Sequence, residues 1–143
     1  MLRQLLLGGV VSLGNIAIHS VVMTTVIGTA RTALKWKRQS PARLAVVMVT
    51  TVGLLMAAHV AEVIAWSLAY AILEVVPAGT DALYFAFVNY TTLGYGDIVP
   101  VERWRLLGPM AAMNGVLLFG WSTAVIFEVL RQAMRSRNRI GEP

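Results

Sequence analysis

The residues best placed to do chemistry lie in one run, Thr92-Leu93-Gly94-Tyr95-Gly96-Asp97. Two glycines flank a tyrosine, a threonine stands two positions before the first, and an aspartate follows the second. Consecutive peptide carbonyls can point the same way only where the backbone alternates in handedness. Glycine enters the left-handed half of that alternation without a Cβ penalty, so Gly94 and Gly96 make it accessible. Stacked rings of such carbonyls can replace the water around a bare cation. Other ionisable groups sit in apolar surroundings. They are His19 and the pair His59 and Glu62, the latter three apart and so on one helical face.

The six-residue run resembles the selectivity-filter signature of the tetrameric potassium channels, threonine-aliphatic-Gly-Tyr-Gly-Asp. The resemblance implies that the carbonyls of Thr92, Leu93, Gly94 and Tyr95 hold K+ ions, with the Thr92 hydroxyl closing the innermost site. It implies that Tyr95 points away from the axis and packs behind the filter, and that Asp97 ties down the outer mouth. Thr91, Gly96 and position 88 would support the strand. Leu93 is a mild departure, since the family more often has Val or Ile there. Val88 is a larger one, because many members carry a glutamate four positions before the filter threonine. Here no carboxylate at that position can pair with Asp97.

The elements around the run must hold it. Leu83 to Tyr90 is apolar and aromatic, which predicts a short pore helix, and Thr80 or Asp81 can cap its start. Its C-terminal end would aim partial negative charge at the pore centre and favour a cation. Tyr84 and Phe85 stand where the family often has an aromatic pair.

The whole chain reads as a membrane protein. Of 143 residues, 57% are hydrophobic and 13% charged, with cysteine absent, so no disulfide framework or thiolate metal site can form. Three stretches reach the roughly 20 apolar residues a bilayer needs, 5–30, 44–73 and 106–130, with the pore stretch 81–100 between the last two. Arg31, Lys35, Lys37, Arg38 and Arg43 fill the linker 31–43, and Arg131, Arg135, Arg137 and Arg139 fill the tail 131–143. The positive-inside rule makes both groups cytoplasmic and puts the N-terminus and the filter loop outside. This explains the +5 net charge better than nucleic acid does. Trp36 and its basic neighbours suit the headgroup region and could hold anionic lipid, although topology alone accounts for them.

The first span is polar for its length, and Gly8, Gly14 and Gly28 would allow close helix approach. In the second span, an ionisable residue should face protein or water. Glu62 is expected either to brace the pore helix or filter, partly replacing the carboxylate missing at Val88, or to be a protonated glutamate bonded to His59 or a neighbouring helix with no effect on conduction. Glu74, Asp81, Asp97 and Glu102 would concentrate cations outside, and Trp104 reads as an interfacial anchor. The third span resembles a pore-lining inner helix with Gly115 near the family's hinge glycine and Gly120 as a second point of give. One stripe, Asn114, Leu118, Trp121, Val125 and Glu128, would put Asn114 in the cavity and Glu128 in an acidic ring at the inner mouth. The rival face is Gly115, Phe119, Ser122 and Ile126. Glu128 could instead pair with Arg131.

These readings converge on an all-α membrane protein with three transmembrane helices per subunit, a re-entrant pore helix and a filter loop, assembled as a homotetramer. It resembles a small bacterial-type potassium channel with an extra N-terminal span, which implies an inner (plasma) membrane location, K+ as the bound ion and no enzymatic step. No span has arginine at every third position, so no voltage sensor is expected. The alternatives are a weakly selective cation channel of the same architecture and a membrane haem or metal protein using His19 and His59.

Overall fold

The computed structural model describes residues 1–34 and 40–138, so Lys35, Trp36, Lys37, Arg38 and Arg139 lie outside the described residues. Among the described residues the regular structure is helical. Helix α1 covers Leu2–Leu34, α2 Pro41–Ile72, α3 Ala82–Tyr90 and α4 Leu107–Asn138, with a short 3-10 turn at Glu102–Trp104. Among the described residues, three helices are long and apolar enough to cross a membrane. At nine residues, α3 is about 13 Å long. That is too short to cross a bilayer.

Local chemistry sets the boundaries. Pro41 occupies the first turn of α2, where its missing N–H costs nothing, and the Ser40 hydroxyl accepts from the Arg43 amide. Asp81, and not Thr80, caps α3, its Oδ1 accepting from the amides of Leu83 and Tyr84 at 2.9 and 3.1 Å. Thr80 turns its hydroxyl to the Pro77 carbonyl instead.

The helices meet through two apolar clusters. The one near the filter joins Trp66 and Tyr70 of α2 to Phe85, Ala86 and Tyr90 of α3 and to Leu107 and Ala111 of α4. The other joins Met23 and Val26 of α1 to Leu55 of α2 and to Val125 and Val129 of α4. At the filter end, Gln4 Oε1 accepts from the Leu106 amide and Arg3 lies over the Trp104 ring. The N-terminus and the filter loop therefore share one end of the bundle, while Arg31, Arg43, Arg131 and Arg135 are at the other.

Two expectations need correction. Trp104 is buried in the apolar cluster beside Arg3, so it anchors the loop to protein and not to a lipid surface. Only Gly8 of the α1 glycines is tightly approached, by Met110; a Cβ on Gly14 or Gly28 would meet nothing within 4 Å. The α1 helix itself packs on α2 and α4 of the same chain.

Candidate functional site

The pore helix ends at Tyr90, and Thr91 closes it by donating its hydroxyl to the Phe87 carbonyl at 2.6 Å. Beyond it the backbone alternates. Thr92, Gly94 and Gly96 have φ of 63°, 58° and 75°, and neither Leu93 nor Tyr95 between them has a positive φ. The amides of Leu93 and Gly94 both turn back to the Val88 carbonyl, at 2.9 and 3.3 Å. In a trans peptide the carbonyl opposes the following amide. The oxygens of Thr92 and Leu93 therefore point away from the pore helix, towards the exposed side. Position 88 supports the strand through its backbone, which explains how valine can stand there.

Asp97 finds a different partner from the absent glutamate. Tyr84 donates its hydroxyl to Asp97 Oδ2 at 2.6 Å, and Oδ1 accepts from the Ile98 amide. The hydrogen bond to Asp97 raises the phenol above its ordinary pKa, so Tyr84 remains a donor. Leu93 and Tyr95 are 57% and 66% exposed, so their own chain covers less than half of each.

Behind the end of the pore helix lies a buried polar cluster drawn from all four helices. Glu62 is fully buried. His19 Nδ1 lies 2.7 Å from Oε1, His59 Nδ1 lies 3.0 Å from Oε2, and Tyr90 donates a short hydrogen bond to Oε2. Ser122 Oγ sits 2.9 Å from His59 Nε2 and 3.2 Å from His19 Nε2. One turn further towards the filter end, Asn15 and Trp66 both donate to Asn114 Oδ1, at 3.0 and 3.1 Å. The contacts of Glu62 reach in two directions. Glu62 bonds His59 and a neighbouring helix, and through Tyr90 it holds the pore helix, while Tyr84 takes the place of the missing carboxylate at Asp97.

A family model described as an ion channel matches residues 58–132, just over half of the chain. The chain belongs to this ion channel family. The potassium voltage-gated channel protein shk-1 of Caenorhabditis elegans is 35% identical over 60 residues, 41% of this channel chain and 11% of the relative. The channel chain thus matches about a tenth of that protein's length. No solved structure matches it.

The inner helix of the channel differs from expectation. Asn114 is 2% exposed and committed to Asn15 and Trp66, and Leu118 and Val125 are buried with it. These three residues face the interior of their own chain, so Asn114 does not line a cavity, whereas Trp121 of the same stripe is 41% exposed. Gly115 is a point of contact more than a hinge, since a Cβ there would stand 2.1 Å from the Tyr90 carbonyl oxygen. Around Gly120 there is open space. Glu128 accepts from Arg131 Nε at 2.8 Å and from Gln132 at 2.6 Å, the local pairing, so no unpaired acidic group stands there. Trp121 lies beside the His19 ring, centroids 5.6 Å apart.

Sequence reading missed Tyr84 as the partner of Asp97, Tyr90 as a donor to Glu62, and Ser122 as the link between the two histidines. Ser122 had one detectable signal. It lies seven residues from Gly115, on the helical face that Gly115 lets close onto the pore helix.

Proposed function

We propose that the chain is one quarter of a homotetrameric, K+-selective channel that conducts passively through the strand at 92–96. The observation that carries this reading is the alternation of handedness over those residues, combined with two consecutive amides bound back to Val88. That arrangement leaves consecutive carbonyls free on the opposite side. One chain supplies one oxygen per level, so a dehydrated ion needs four chains around an axis. The carbonyls of Thr92, Leu93, Gly94 and Tyr95 and the Thr92 hydroxyl are the ion ligands in this reading. The exposed Tyr95 packs against a neighbouring copy.

The shared end of the N-terminus and the filter loop, with the basic residues opposite, supports an external filter and a cytoplasmic tail by the positive-inside rule. The small three-span plan suits a bacterial inner (plasma) membrane. Passive conduction makes and breaks no bond, so no catalytic residue is assigned. Anionic lipid at the basic linker remains part of the proposal.

The test is K+ flux from liposomes holding the purified chain, blocked by Ba2+, followed by reversal potentials in mixed K+ and Na+. A potential that follows the K+ gradient supports the reading. One that ignores the cation species assigns the weakly selective alternative, and a particle that is not fourfold overturns both.

A further inference from the structure

The cluster behind the pore helix has a hydrogen-bonding pattern that two neutral imidazoles do not complete. Ligand atoms of His19, His59 and Glu62 all lie within 4.8 Å of one another. Each imidazole turns Nδ1 to a different oxygen of Glu62, at 2.7 and 3.0 Å. Each turns Nε2 to the same hydroxyl, Ser122. With Glu62 ionised and both imidazoles neutral, the two Nδ1 atoms donate and the two Nε2 atoms accept. A serine hydroxyl has one hydrogen to give, so one Nε2 meets an oxygen lone pair. Glu62 is also a fully buried carboxylate in a membrane-spanning helix, where an uncompensated charge is costly. The cluster is short of one cation.

We propose that this cation is a divalent transition metal of the zinc type, bound by Nδ1 of His19, Nδ1 of His59, a carboxylate oxygen of Glu62 and the Tyr90 oxygen. Two imidazoles, a carboxylate and a phenolic oxygen form a four-coordinate N/O set of the kind zinc takes. Tyr90 is placed for it, 3.0 Å from His59 Nδ1 and hydrogen-bonded to Glu62. A metal on both Nδ1 atoms obliges each imidazole to carry its hydrogen on Nε2. Ser122 Oγ has two lone pairs and accepts both, which removes the conflict and orients both rings. Three of the contacts among these donors measure 2.7–3.0 Å, His19 with Glu62 and His59 with Glu62 and with Tyr90. Bonds of about 2.0–2.1 Å at tetrahedral angles need donors roughly 3.3 Å apart, so these paired donors move apart to admit the ion. Its charge is met by the carboxylate and by the Tyr90 oxygen, which exchanges its hydrogen for the metal and releases it to solvent. The ion would tie α1 and α2 to the last residue of the pore helix, two positions before Thr92. The site is independent of the ion the filter selects.

The test uses the full chain in detergent, stripped with a chelator, incubated with Zn2+, desalted and analysed for metal. About one zinc per chain is expected, and Co2+ in its place should give the intense visible absorption of a four-coordinate site. His19→Asn and His59→Asn should each abolish retention, and Tyr90→Phe should weaken it about 10–100-fold. Buried substitutions can disturb folding, so the cobalt spectrum of the unaltered chain stands as a separate reading. Wild type that retains almost no metal, or a weak six-coordinate cobalt spectrum, overturns the proposal and leaves a proton as the missing charge. So does undiminished retention in histidine variants that elute as wild type, which would place the metal elsewhere.

Discussion

The filter strand and the polar cluster behind it touch at the end of the pore helix but are built in opposite ways. From Thr91 to Asp97 every residue is exposed, and the chemistry is in the backbone. Its amides are caught by Val88, five and six residues back. The cluster has no such locality. His19, Glu62, Tyr90 and Ser122 come from four helices, and its chemistry is entirely in side chains shielded from solvent. The strand is exposed on the single chain, whereas the cluster is assembled and buried within it.

Removing the centre of the cluster should have the largest effect on stability. Glu62→Ala leaves two imidazoles and a phenol without their common acceptor. Breaking a buried charged network of this kind costs about 3–5 kcal/mol. Thermal unfolding in detergent should show a large loss, with Glu62→Gln milder because it keeps the shape. A wild-type melting curve for Glu62→Ala would mean that the cluster does not hold the helices together.

The contact that joins the two regions comes next. Gly115→Ala would place a methyl 2.1 Å from the Tyr90 carbonyl oxygen, with backbone on both sides and no flexible side chain to yield. Overpacking of this kind costs about 1–3 kcal/mol. Gly120→Ala is the control, because a Cβ there meets nothing within 4 Å. Its helix propensity improves by about 1 kcal/mol. If the two variants melt alike, the close approach at Gly115 has no energetic weight.

A change within the filter should separate folding from conduction. A Cβ on Gly94 meets nothing within 4 Å, and the only penalty in the isolated subunit is its φ of 58°. That penalty is about 1–2 kcal/mol. Gly94→Ala should therefore keep the helical fold, by circular dichroism and melting, while liposomal K+ flux is lost. Retained flux would show that ions do not pass along this strand.

The contrast also explains what could be read in advance. The three apolar spans, the short helix α3 and the alternating backbone at the glycines were legible, because each is written locally as apolar length, a capping residue or alternating glycines. Thr92 was only half legible. Alternation extended back from Gly94 requires a positive φ there as well, although threonine pays for it. The cluster was not legible as a unit. His59 and Glu62 share a face by their spacing, but His19 and Ser122 are 103 residues apart, and only the packing of α1 on α4 joins them. Asn114 was misassigned for the same reason. Helical periodicity gives a stripe but does not say whether it faces a shared axis or the subunit interior, and α1, which covers that stripe, lies outside the family resemblance.

The smallest effect on the fold and the finest test of the strand is Tyr84→Phe. The ring stays and only the hydroxyl that reaches Asp97 at 2.6 Å is lost. Tyr84 and Asp97 are both exposed, so the melting temperature of the subunit should not move. The outer end of the strand loses the side chain that takes the place of a carboxylate at Val88, and Asp97 keeps only the adjacent Ile98 amide. Initial K+ flux should be close to wild type and should decay faster under sustained conduction, because the outer mouth is less tightly held. Asp97→Ala should be at least as impaired as Tyr84→Phe, and the double variant should be no worse than Asp97→Ala alone, since both single changes remove the same bond. Additive effects would mean that Asp97 is held by a group other than Tyr84, such as one from a neighbouring subunit.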